Sequence, residues 1–351
     1  IGKADEAAIL SALGQAQASE TRGALTEAPE AAQAYVGRYA DAFGPDALQG
    51  LRIGVYEHSS VARDLLHDVL RACGAESVPL ARSDTFIPVD TEAVGEQTRA
   101  MLAGWAKDHG LHAIVSTDGD ADRPMLTDAH GRVIPGDVLG ALSAVFLGAD
   151  TLCTPVSSNT MIDQMPQFAV IHRTRIGSPY VIAAMEEVLA ANPKARVIGY
   201  EANGGTLLGY TAEAGAGPLA PLMTRDCLLP ILAPLALTCA QGIGVAELVA
   251  TLPPRFTAAD RVTDVEPEKS RALIDRLASD ASARAAFFET GSSEAAVDVT
   301  DGLRVRFADG SIVHLRPSGN APECRCYTEA DSAERAQALL ALHMKKLAAM
   351  V

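Results

Sequence analysis

The chain has 351 residues, of which 48% are apolar and 21% are charged, and these proportions are ordinary for a globular protein with a substantial core. Its net charge is −15 and no cluster of Lys and Arg interrupts the acidic composition, which argues against nucleic acids and anionic membranes as partners. No stretch reaches the roughly 20 apolar residues that a membrane-spanning helix needs. The six cysteines include no Cys-x-x-Cys pair, so we expect reduced thiols and a cytoplasmic location.

The first residue is Ile1 rather than Met, and no charged-then-apolar signal pattern follows it. We therefore expect that a further segment preceded residue 1 and was removed or cleaved.

Two Ala-rich helices are predicted first, over residues 4–21 and 28–41. Short apolar strands and amphipathic helices then alternate: strand 51–56, a helix from Ser59 or Ser60 to Gly74 with Val61 on its apolar face, helix 91–109 and strand 112–116. The alternation continues with helix 137–147, strands 152–156 and 170–173, a helix from Ser178 to about residue 191, strand 196–201 and an apolar helix from Thr224 onward. This order predicts stacked α/β units.

The pattern changes after Pro253-Pro254. Residues 296–328 are rich in strands, with turn signals at Asp301-Gly302 and Asp309-Gly310. An amphipathic helix over residues 331–350, with Ser332 as its N-cap, closes the chain. These features predict a separate C-terminal α+β domain.

An acidic loop, residues 118–123, directly follows the strand predicted at 112–116; its sequence is Asp118-Gly119-Asp120-Ala121-Asp122-Arg123. In an extended loop, carboxylates at positions i, i+2 and i+4 project toward one side. Three hard oxygen ligands without His or Cys favour Mg²⁺ over Zn²⁺. The three aspartates are therefore candidate magnesium ligands.

Two other interpretations of the acidic loop compete with a magnesium site. An EF-hand loop also opens with Asp-x-Asp-x-Asp, but it needs Gly and Glu where this chain has Arg123 and Ala129. A solvated acidic turn needs no metal, but carboxylates beside a buried strand would repel one another without a cation.

A glycine loop, residues 201–205, follows the strand predicted at 196–201 and reads Glu201-Ala202-Asn203-Gly204-Gly205. A carboxylate at a strand end can accept hydrogen bonds from vicinal sugar hydroxyls, and glycines let the backbone approach the ligand. A glycine-rich hairpin with an exposed Glu is the alternative that these residues leave open.

An arginine loop, residues 316–322, lies near the end of the chain and reads Arg316-Pro317-Ser318-Gly319-Asn320-Ala321-Pro322. Guanidinium, hydroxyl, amide and backbone N–H groups together form a nest for an anion, and Arg325 follows closely. A capped turn between two strands is the alternative.

A weaker candidate is the helix start at Gly177 and Ser178, because a helix N-terminus attracts anions. Ordinary capping by Ser178 explains the same residues.

With these motifs in this order, the chain resembles the α-D-phosphohexomutase family, which includes phosphomannomutases and phosphoglucomutases. The resemblance implies that Asp118, Asp120 and Asp122 hold Mg²⁺ against a phosphoserine. It also implies that Arg123 sits beside the phosphoserine and steadies the transferring group.

The family's sugar-recognition loop is written G-E-x-S-G-H, and the resemblance makes Glu201, Asn203 and Gly204 substrate-binding residues. Asn203 stands where Ser is usual. Gly205 stands where some members carry His, so no role of that His is transferred to this chain.

The family's phosphate loop is written R-x-S-G-T-x-P. The resemblance assigns substrate phosphate binding to four residues of the arginine loop: Arg316, Ser318, Gly319 and Asn320. It implies that Arg325 supports the loop or the phosphate, and that Gly177 and Ser178 help to recognise sugar or phosphate. Asn320 replaces Thr and keeps a hydrogen-bond donor.

The resemblance further implies four domains around a central cleft. These would be the remnant of a first domain at residues 1–48, an α/β domain at 49–149, an α/β domain with the sugar loop at 150–253 and an α+β domain at 254–351. Family members carry the phosphoserine in a T-A-S-H-N-P-like loop of the first domain, and no such loop occurs here. Without that serine there is no covalent phosphoryl carrier, so we expect this chain alone to be inactive.

The implied activity is the interconversion of mannose 6-phosphate and mannose 1-phosphate through a bisphosphate, by a monomer or homodimer. A phosphoglucomutase or phosphoglucosamine mutase is the nearest alternative. A non-catalytic sugar-phosphate-binding protein is a second rival, although it would have little need of three aspartates. A magnesium-dependent phosphatase is a third, but the acidic loop lacks the D-x-D-x-T/V nucleophile signature.

Overall fold

The computed structural model describes residues 2–15, 21–318 and 322–351. Helices α1 (Lys3–Ser11) and α2 (Glu30–Phe43) come first. The predicted helix 4–21 is too long, because α1 ends at Ser11. Its residues are mostly exposed, and a short helix that gains no tertiary packing is marginal whatever its alanine content.

The first sheet contains four strands in the order β2-β1-β3-β4, with β1 parallel to both of its neighbours and β4 antiparallel to β3. The elements are β1 (Arg52–His58), α3 (Arg63–Ala72), β2 (Glu76–Arg82), α4 (Glu96–His109), β3 (Ala113–Thr117) and β4 (Pro124–Leu126). Helix α3 begins later than predicted, so Val61 lies outside it and is 76% exposed instead of on its apolar face. Helix α4 also begins five residues later than the predicted residue 91.

The second sheet contains five strands in the order β11-β8-β7-β5-β6. Its elements and their helices are α5 (Gly136–Phe146), β5 (Thr151–Pro155), β6 (Val170–Thr174), α6 (Ser178–Ala191), β7 (Val197–Tyr200), β8 (Thr206–Leu208), β9 (Ala212–Glu213), β10 (Pro218–Leu219), β11 (Leu222–Asp226), α7 (Leu229–Gln241) and α8 (Val245–Ala250). Strands β9 and β10 form a separate pair, and residues Thr160–Gln164 form a 3₁₀ turn.

Two sequence predictions for this unit are wrong. Thr224 lies in strand β11, antiparallel to β8, and the apolar helix begins only at Leu229. Local apolarity could not reveal the pairing partner, which comes from another part of the chain. Ser178 is the first residue of α6 rather than its cap, and Gly177 occupies the N-cap position without a side-chain hydrogen bond.

The last unit is a five-stranded antiparallel sheet in the order β12-β16-β15-β14-β13. Its elements are β12 (Phe256–Thr263), α9 (Pro267–Ser279), α10 (Ala281–Phe287), β13 (Glu294–Asp298), β14 (Leu303–Phe307), β15 (Ile312–Pro317), β16 (Glu323–Ala330) and α11 (Ala333–Ala348). The predicted cap of α11 is confirmed, since Ser332 Oγ accepts a hydrogen bond from the Arg335 N–H at 3.2 Å.

Buried side chains form one large core that runs from α2 to α8 and a separate core within the last unit. Helix α5 is almost wholly buried and packs against α7 and β7. Mixed α/β sheets followed by an α+β unit confirm the predicted fold class. Within the described ranges, no helix is long and apolar enough to cross a membrane. All six cysteines are free thiols.

Candidate active site

The acidic loop connects β3 to β4 and is closed by two hydrogen bonds between its ends. The Asp118 N–H donates to the Arg123 carbonyl at 3.1 Å, and the Arg123 N–H donates to Asp118 Oδ1 at 3.2 Å. Ala121 has a positive φ of 62°, so the loop turns tightly instead of running extended as the sequence predicted. The turn, rather than strand-like alternation, brings the three carboxylates together.

The carboxylates of Asp118, Asp120 and Asp122 offer ligand oxygens that all lie within 4.8 Å of one another. Burial, and then the neighbouring charges of Asp122 and Asp120, raise the pKa of Asp118 to about 6. This crowding is what a divalent cation would relieve, and an all-carboxylate donor set suits a hard ion such as Mg²⁺. The residues therefore fit a magnesium ion.

Arg123 lies beside the carboxylate cluster. Its Nε is 3.7 Å from Asp118 Oδ2 and 3.7 Å from Asp122 Oδ1. The same buried Nε has no hydrogen-bond partner among the described residues. A buried donor without a partner favours a ligand that supplies an acceptor oxygen.

The glycine loop connects β7 to β8 and is held by its own hydrogen bonds. The Gly204 N–H donates to the Glu201 carbonyl at 2.9 Å, and the Gly205 N–H donates to Asn203 Oδ1 at 3.0 Å. Glu201 and Asn203 are both buried. The alternative of an exposed Glu on a hairpin is therefore excluded, and Asn203 shapes the loop through its amide oxygen.

The glycine loop packs directly against the end of the acidic loop. Gly204 has a φ of 89°, and a Cβ added there would lie 2.7 Å from Cγ of Pro124, the residue that follows Arg123. A Cβ added at Gly136, the first residue of α5, would lie 2.3 Å from the Gly204 nitrogen. The two loops are in contact because three backbones meet where only glycine fits.

The arginine loop joins β15 to β16, and Arg316 is the cross-strand partner of Arg325. The Ser318 N–H donates to the Glu323 carbonyl at 2.8 Å, which fixes the base of the loop. Gly319 and Asn320, two of the predicted phosphate ligands, lie outside the described residues.

Asp301 links the arginine loop to the start of α6. Its Oδ1 accepts a hydrogen bond from Arg316 Nε at 3.1 Å, and its Oδ2 accepts one from the Ile176 N–H at 2.9 Å. Arg175 Nε also donates to the Thr300 carbonyl at 3.1 Å. The helix start that contains Gly177 and Ser178 is thereby docked beside Arg316.

Glu92 is influenced by charged groups from several parts of the chain. It lies between β2 and α4 and interacts electrostatically with Arg325, Arg123 and Glu201. Burial raises its pKa, while the charges of the two arginines act in the opposite direction. Charged groups of the acidic loop, the glycine loop and strand β16 therefore act on the carboxyl group of Glu92.

Arg225, near the end of β11, connects the glycine loop to the acidic loop. Its guanidinium forms an ion pair with Asp122 Oδ2, and its Nη1 lies 3.5 Å from Glu201 Oε2. Arg225 is not among the site residues predicted from the sequence, because the sequence pattern there predicts a helix.

A cavity of about 1050 Å³ lies behind the loops, between the three units. Glu92 and Ala202 belong to its wall, but neither the three aspartates nor Arg316 do. The cavity wall therefore contains neither the predicted metal ligands nor the predicted phosphate-binding Arg316. Residues of all three units line it, among them Asp137, Asn159, Arg304 and Tyr327.

Comparison with protein families identifies the chain. Residues 33–131 match the phosphoglucomutase/phosphomannomutase α/β/α domain II, residues 135–256 match domain III, and residues 261–345 match the C-terminal domain. The chain belongs to the phosphoglucomutase/phosphomannomutase family. The family resemblance predicted from the three loops is confirmed.

Two relatives within this family are named phosphomannomutase. The one from Sinorhizobium fredii is 44% identical over 347 residues, and the alignment covers 97% of this chain and 73% of the relative. The one from Salmonella muenchen is 44% identical over 313 residues, covering 89% and 65%. The chain thus spans about two thirds to three quarters of the length of these two mutases.

A solved structure has the same fold. The crystal structure of a phosphomannomutase-like protein from Thermus thermophilus, at 20% identity, superposes with a TM-score of 0.72 over 99% of this chain and 72% of that one. An alignment with a family protein from Burkholderia thailandensis gives a TM-score of 0.67, with 91% and 63% covered.

Three residues of this family member's site escaped the sequence analysis: Glu92, Arg225 and Asp301. Glu92 was assigned to helix 91–109, and Asp301 was recognised only as part of a turn signal. Of these three residues, only Asp301 has a usable signal in the sequence, the Asp301-Gly302 turn. An Asp at a turn between strands can also accept hydrogen bonds from outside the turn.

Proposed function

We propose that this chain provides the metal, sugar and phosphate sites of a hexose-phosphate mutase that interconverts mannose 6-phosphate and mannose 1-phosphate. The supporting observation is that the glycine loop packs against the acidic loop, whose three aspartates offer ligand oxygens within 4.8 Å of one another, while Arg123, Glu201 and Arg325 all act electrostatically on Glu92. Sugar-phosphate recognition needs a carboxylate for hydroxyls and a cationic nest for phosphate in one cleft, and this arrangement provides both.

Asp118, Asp120 and Asp122 would hold Mg²⁺, which when bound supplies positive charge at the phosphoryl group being transferred. Arg123 complements that charge through its unpartnered Nε, which can donate to a phosphoryl oxygen. Donors already in place before charge develops are the main source of catalysis in phosphoryl transfer.

Arg316 and Ser318, together with Gly319 and Asn320, would grip the phosphate that does not react. Asp301 orients the Arg316 guanidinium for this task through the 3.1 Å hydrogen bond to Nε. Arg325 adds a second cation on the neighbouring strand, and Gly177 with Ser178 adds a helix start.

Glu201 would accept hydrogen bonds from sugar hydroxyls. Its carboxylate is almost fully buried and has the cationic Arg225 as a neighbour, so it is held as an acceptor at the wall of the cleft. The same hydroxyl contacts must serve both orientations of a bisphosphate intermediate.

Mannose is favoured over glucosamine for two reasons. The glycine loop departs from the G-E-Q-S-G-H sequence that is usual in the glucosamine branch, and both relatives at 44% identity are named phosphomannomutase. A phosphoglucosamine mutase from Symbiobacterium thermophilum is only 31% identical. Glucose phosphate is the expected second substrate.

Turnover needs a phosphoserine, and these 351 residues contain no T-A-S-H-N-P-like loop. We infer that the serine comes from another segment. This chain would divide into four parts, at residues 1–48, 49–149, 150–253 and 254–351. The isolated chain should then bind hexose phosphates without isomerising them.

Calorimetric titration of this chain with mannose 1-phosphate, glucose 1-phosphate and glucosamine 1-phosphate, each with and without Mg²⁺, tests the proposal. We expect magnesium-dependent binding in the order mannose, glucose, glucosamine. Binding to none of the three would refute the proposal, and isomerisation by this chain alone would refute the need for an external serine.

A further inference from the structure

The glycine loop has no room for a side chain at position 205, because the side chain of Arg225 fills the space beside Gly205. A Cβ added at Gly205 would lie 2.9 Å from Cδ, 3.0 Å from Cγ and 3.2 Å from Cβ of Arg225. Gly205 is the position at which some members of the family carry His. In this chain Arg225 of strand β11 fills the space beside the glycine loop.

Arg225 reaches this space from a firmly held backbone. The next residue, Asp226, pairs in register with Thr206 of β8 and is buried. Asp226 accepts hydrogen bonds from the hydroxyls of Tyr35 and Tyr39 of α2 and from the Leu228 N–H. The anchored Asp226 fixes the backbone from which the Arg225 side chain reaches Asp122 and Glu201.

The guanidinium of Arg225 joins two carboxylates that have different tasks. One nitrogen pairs with Asp122, a candidate metal ligand, and Nη1 lies 3.5 Å from Glu201, the candidate sugar acceptor. The side chain of Arg225 is only 27% exposed and that of Glu201 is 5% exposed, so solvent screens these charges weakly. A planar guanidinium can bond both carboxylates at once, whereas an ammonium acts as a single point charge.

We propose that Arg225 is a positioning residue that takes the place of a side chain at position 205. It holds Glu201 in place for the sugar hydroxyls and sets the distance between Glu201 and the metal-binding carboxylates. The inference rests on the proposed function, because it concerns the same sugar and metal sites. Arg225 acts through Glu201 and Asp122, and a guanidinium offers only hydrogen-bond donors to them.

The two contacts predict effects of opposite sign when Arg225 is replaced. Arg225→Ala should lower the affinity for mannose 1-phosphate at least about tenfold, because Glu201 loses its neighbour in a buried setting. The same variant should bind Mn²⁺, a spectroscopic substitute for Mg²⁺, severalfold more tightly, because a cation that competes for Asp122 has gone. Loss of folding would weaken both ligands and cannot produce this combination.

The experiment titrates this chain with Mn²⁺ by electron paramagnetic resonance and with mannose 1-phosphate by calorimetry, in wild type, Arg225→Ala, Arg225→Lys and Arg196→Ala. Arg196 forms a surface ion pair with Asp150 and serves as the matched control, with no expected change in either affinity. Arg225→Lys should recover part of the sugar-phosphate affinity, since it restores the charge without the fork. Inorganic phosphate should bind all four proteins within about twofold, because it probes the arginine loop.

The proposal would be overturned if Arg225→Ala bound Mn²⁺ no more tightly than wild type, or if it bound mannose 1-phosphate as tightly as wild type. If wild type binds no hexose phosphate, the proposed function fails, while the Mn²⁺ titrations still test whether Arg225 competes for Asp122. An Arg225→Lys variant equal to wild type in both titrations would show that the fork is unnecessary and would also refute it.

Discussion

The carboxylate of Asp301 lies 3.1 Å from Nε of Arg316 and uses its other oxygen to accept the Ile176 N–H at 2.9 Å. The contact joins the arginine loop of the last unit to the start of α6 in the preceding one. One side chain therefore orients the guanidinium proposed to bind phosphate and links two units of the structure.

Replacement of Asp301 should mainly weaken the binding of phosphate groups. Asp301→Ala removes a charged hydrogen bond, and such bonds contribute about 1.5–3 kcal/mol. We expect at least about a tenfold loss of affinity for mannose 1-phosphate and for inorganic phosphate, measured by calorimetry. Asp275→Ala, an exposed position on α9, is the matched control. Unaltered phosphate affinity would show that Arg316 needs no such support.

Replacement of Asp120 should separate metal binding from folding. In wild type, Mg²⁺ should raise the melting temperature, because a ligand that binds only the native state stabilises it. Asp120→Asn should lose this rise and yet be at least as stable as wild type without metal, since the charge of Asp120 opposes that of Asp118. Asp108→Asn, exposed on α4, should behave as wild type. A magnesium-dependent rise retained in Asp120→Asn would contradict the ligand assignment.

Asp137 should make stability depend on pH. Burial, followed by the charges of Glu329 and Glu92, raises its pKa from 3.8 to about 6, against the effect of the hydrogen bond from the Asn159 N–H. The native protein then holds a proton that the unfolded chain has released. This contribution to stability is complete below about pH 4 and is lost as the pH rises through about 6.

Asp137→Asn cannot ionise and still offers an oxygen to the Asn159 N–H. Relative to wild type, its free energy of unfolding should rise by up to about 3 kcal/mol between pH 4 and pH 7. Urea unfolding at pH 4, 5, 6 and 7 measures this difference, with Asp275→Asn as the exposed control. A difference that does not change with pH would rule out ionisation of Asp137 as the cause.

Gly204 should tolerate no side chain. Gly204→Ala combines a positive φ of 89° with a Cβ 2.7 Å from Pro124, and strain of both kinds adds up to about 2–4 kcal/mol. We expect that loss in urea unfolding, together with weaker Mg²⁺ binding as the acidic loop shifts. Gly95→Ala, where the added Cβ meets nothing within 4 Å, is the control. Equal stability of the two variants would mean that the loop contact yields without cost.

Much of the architecture was predictable because it depends on short-range patterns. The alternation of strands and helices predicted the mixed units, and Ser332 capped its helix as expected. Predictions failed where packing overrides local preference. Thr224 lies in an apolar segment, yet pairing with β8 makes it part of a strand. Val61 has an apolar side chain and nevertheless stays exposed.

The sequence by itself determined which chemical groups this protein carries in each loop and the order of those loops, because three aspartates, a Glu with glycines and an arginine nest are each local patterns. Only the tertiary structure decided that the acidic and glycine loops are in contact and that Asp301 links Arg316 to the start of α6. It also revealed Glu92, Arg225 and Asp301, whose partners lie 15 to 233 residues away along the chain. Contacts of this kind depend on how separate sheets pack, and no spacing along the chain encodes that packing.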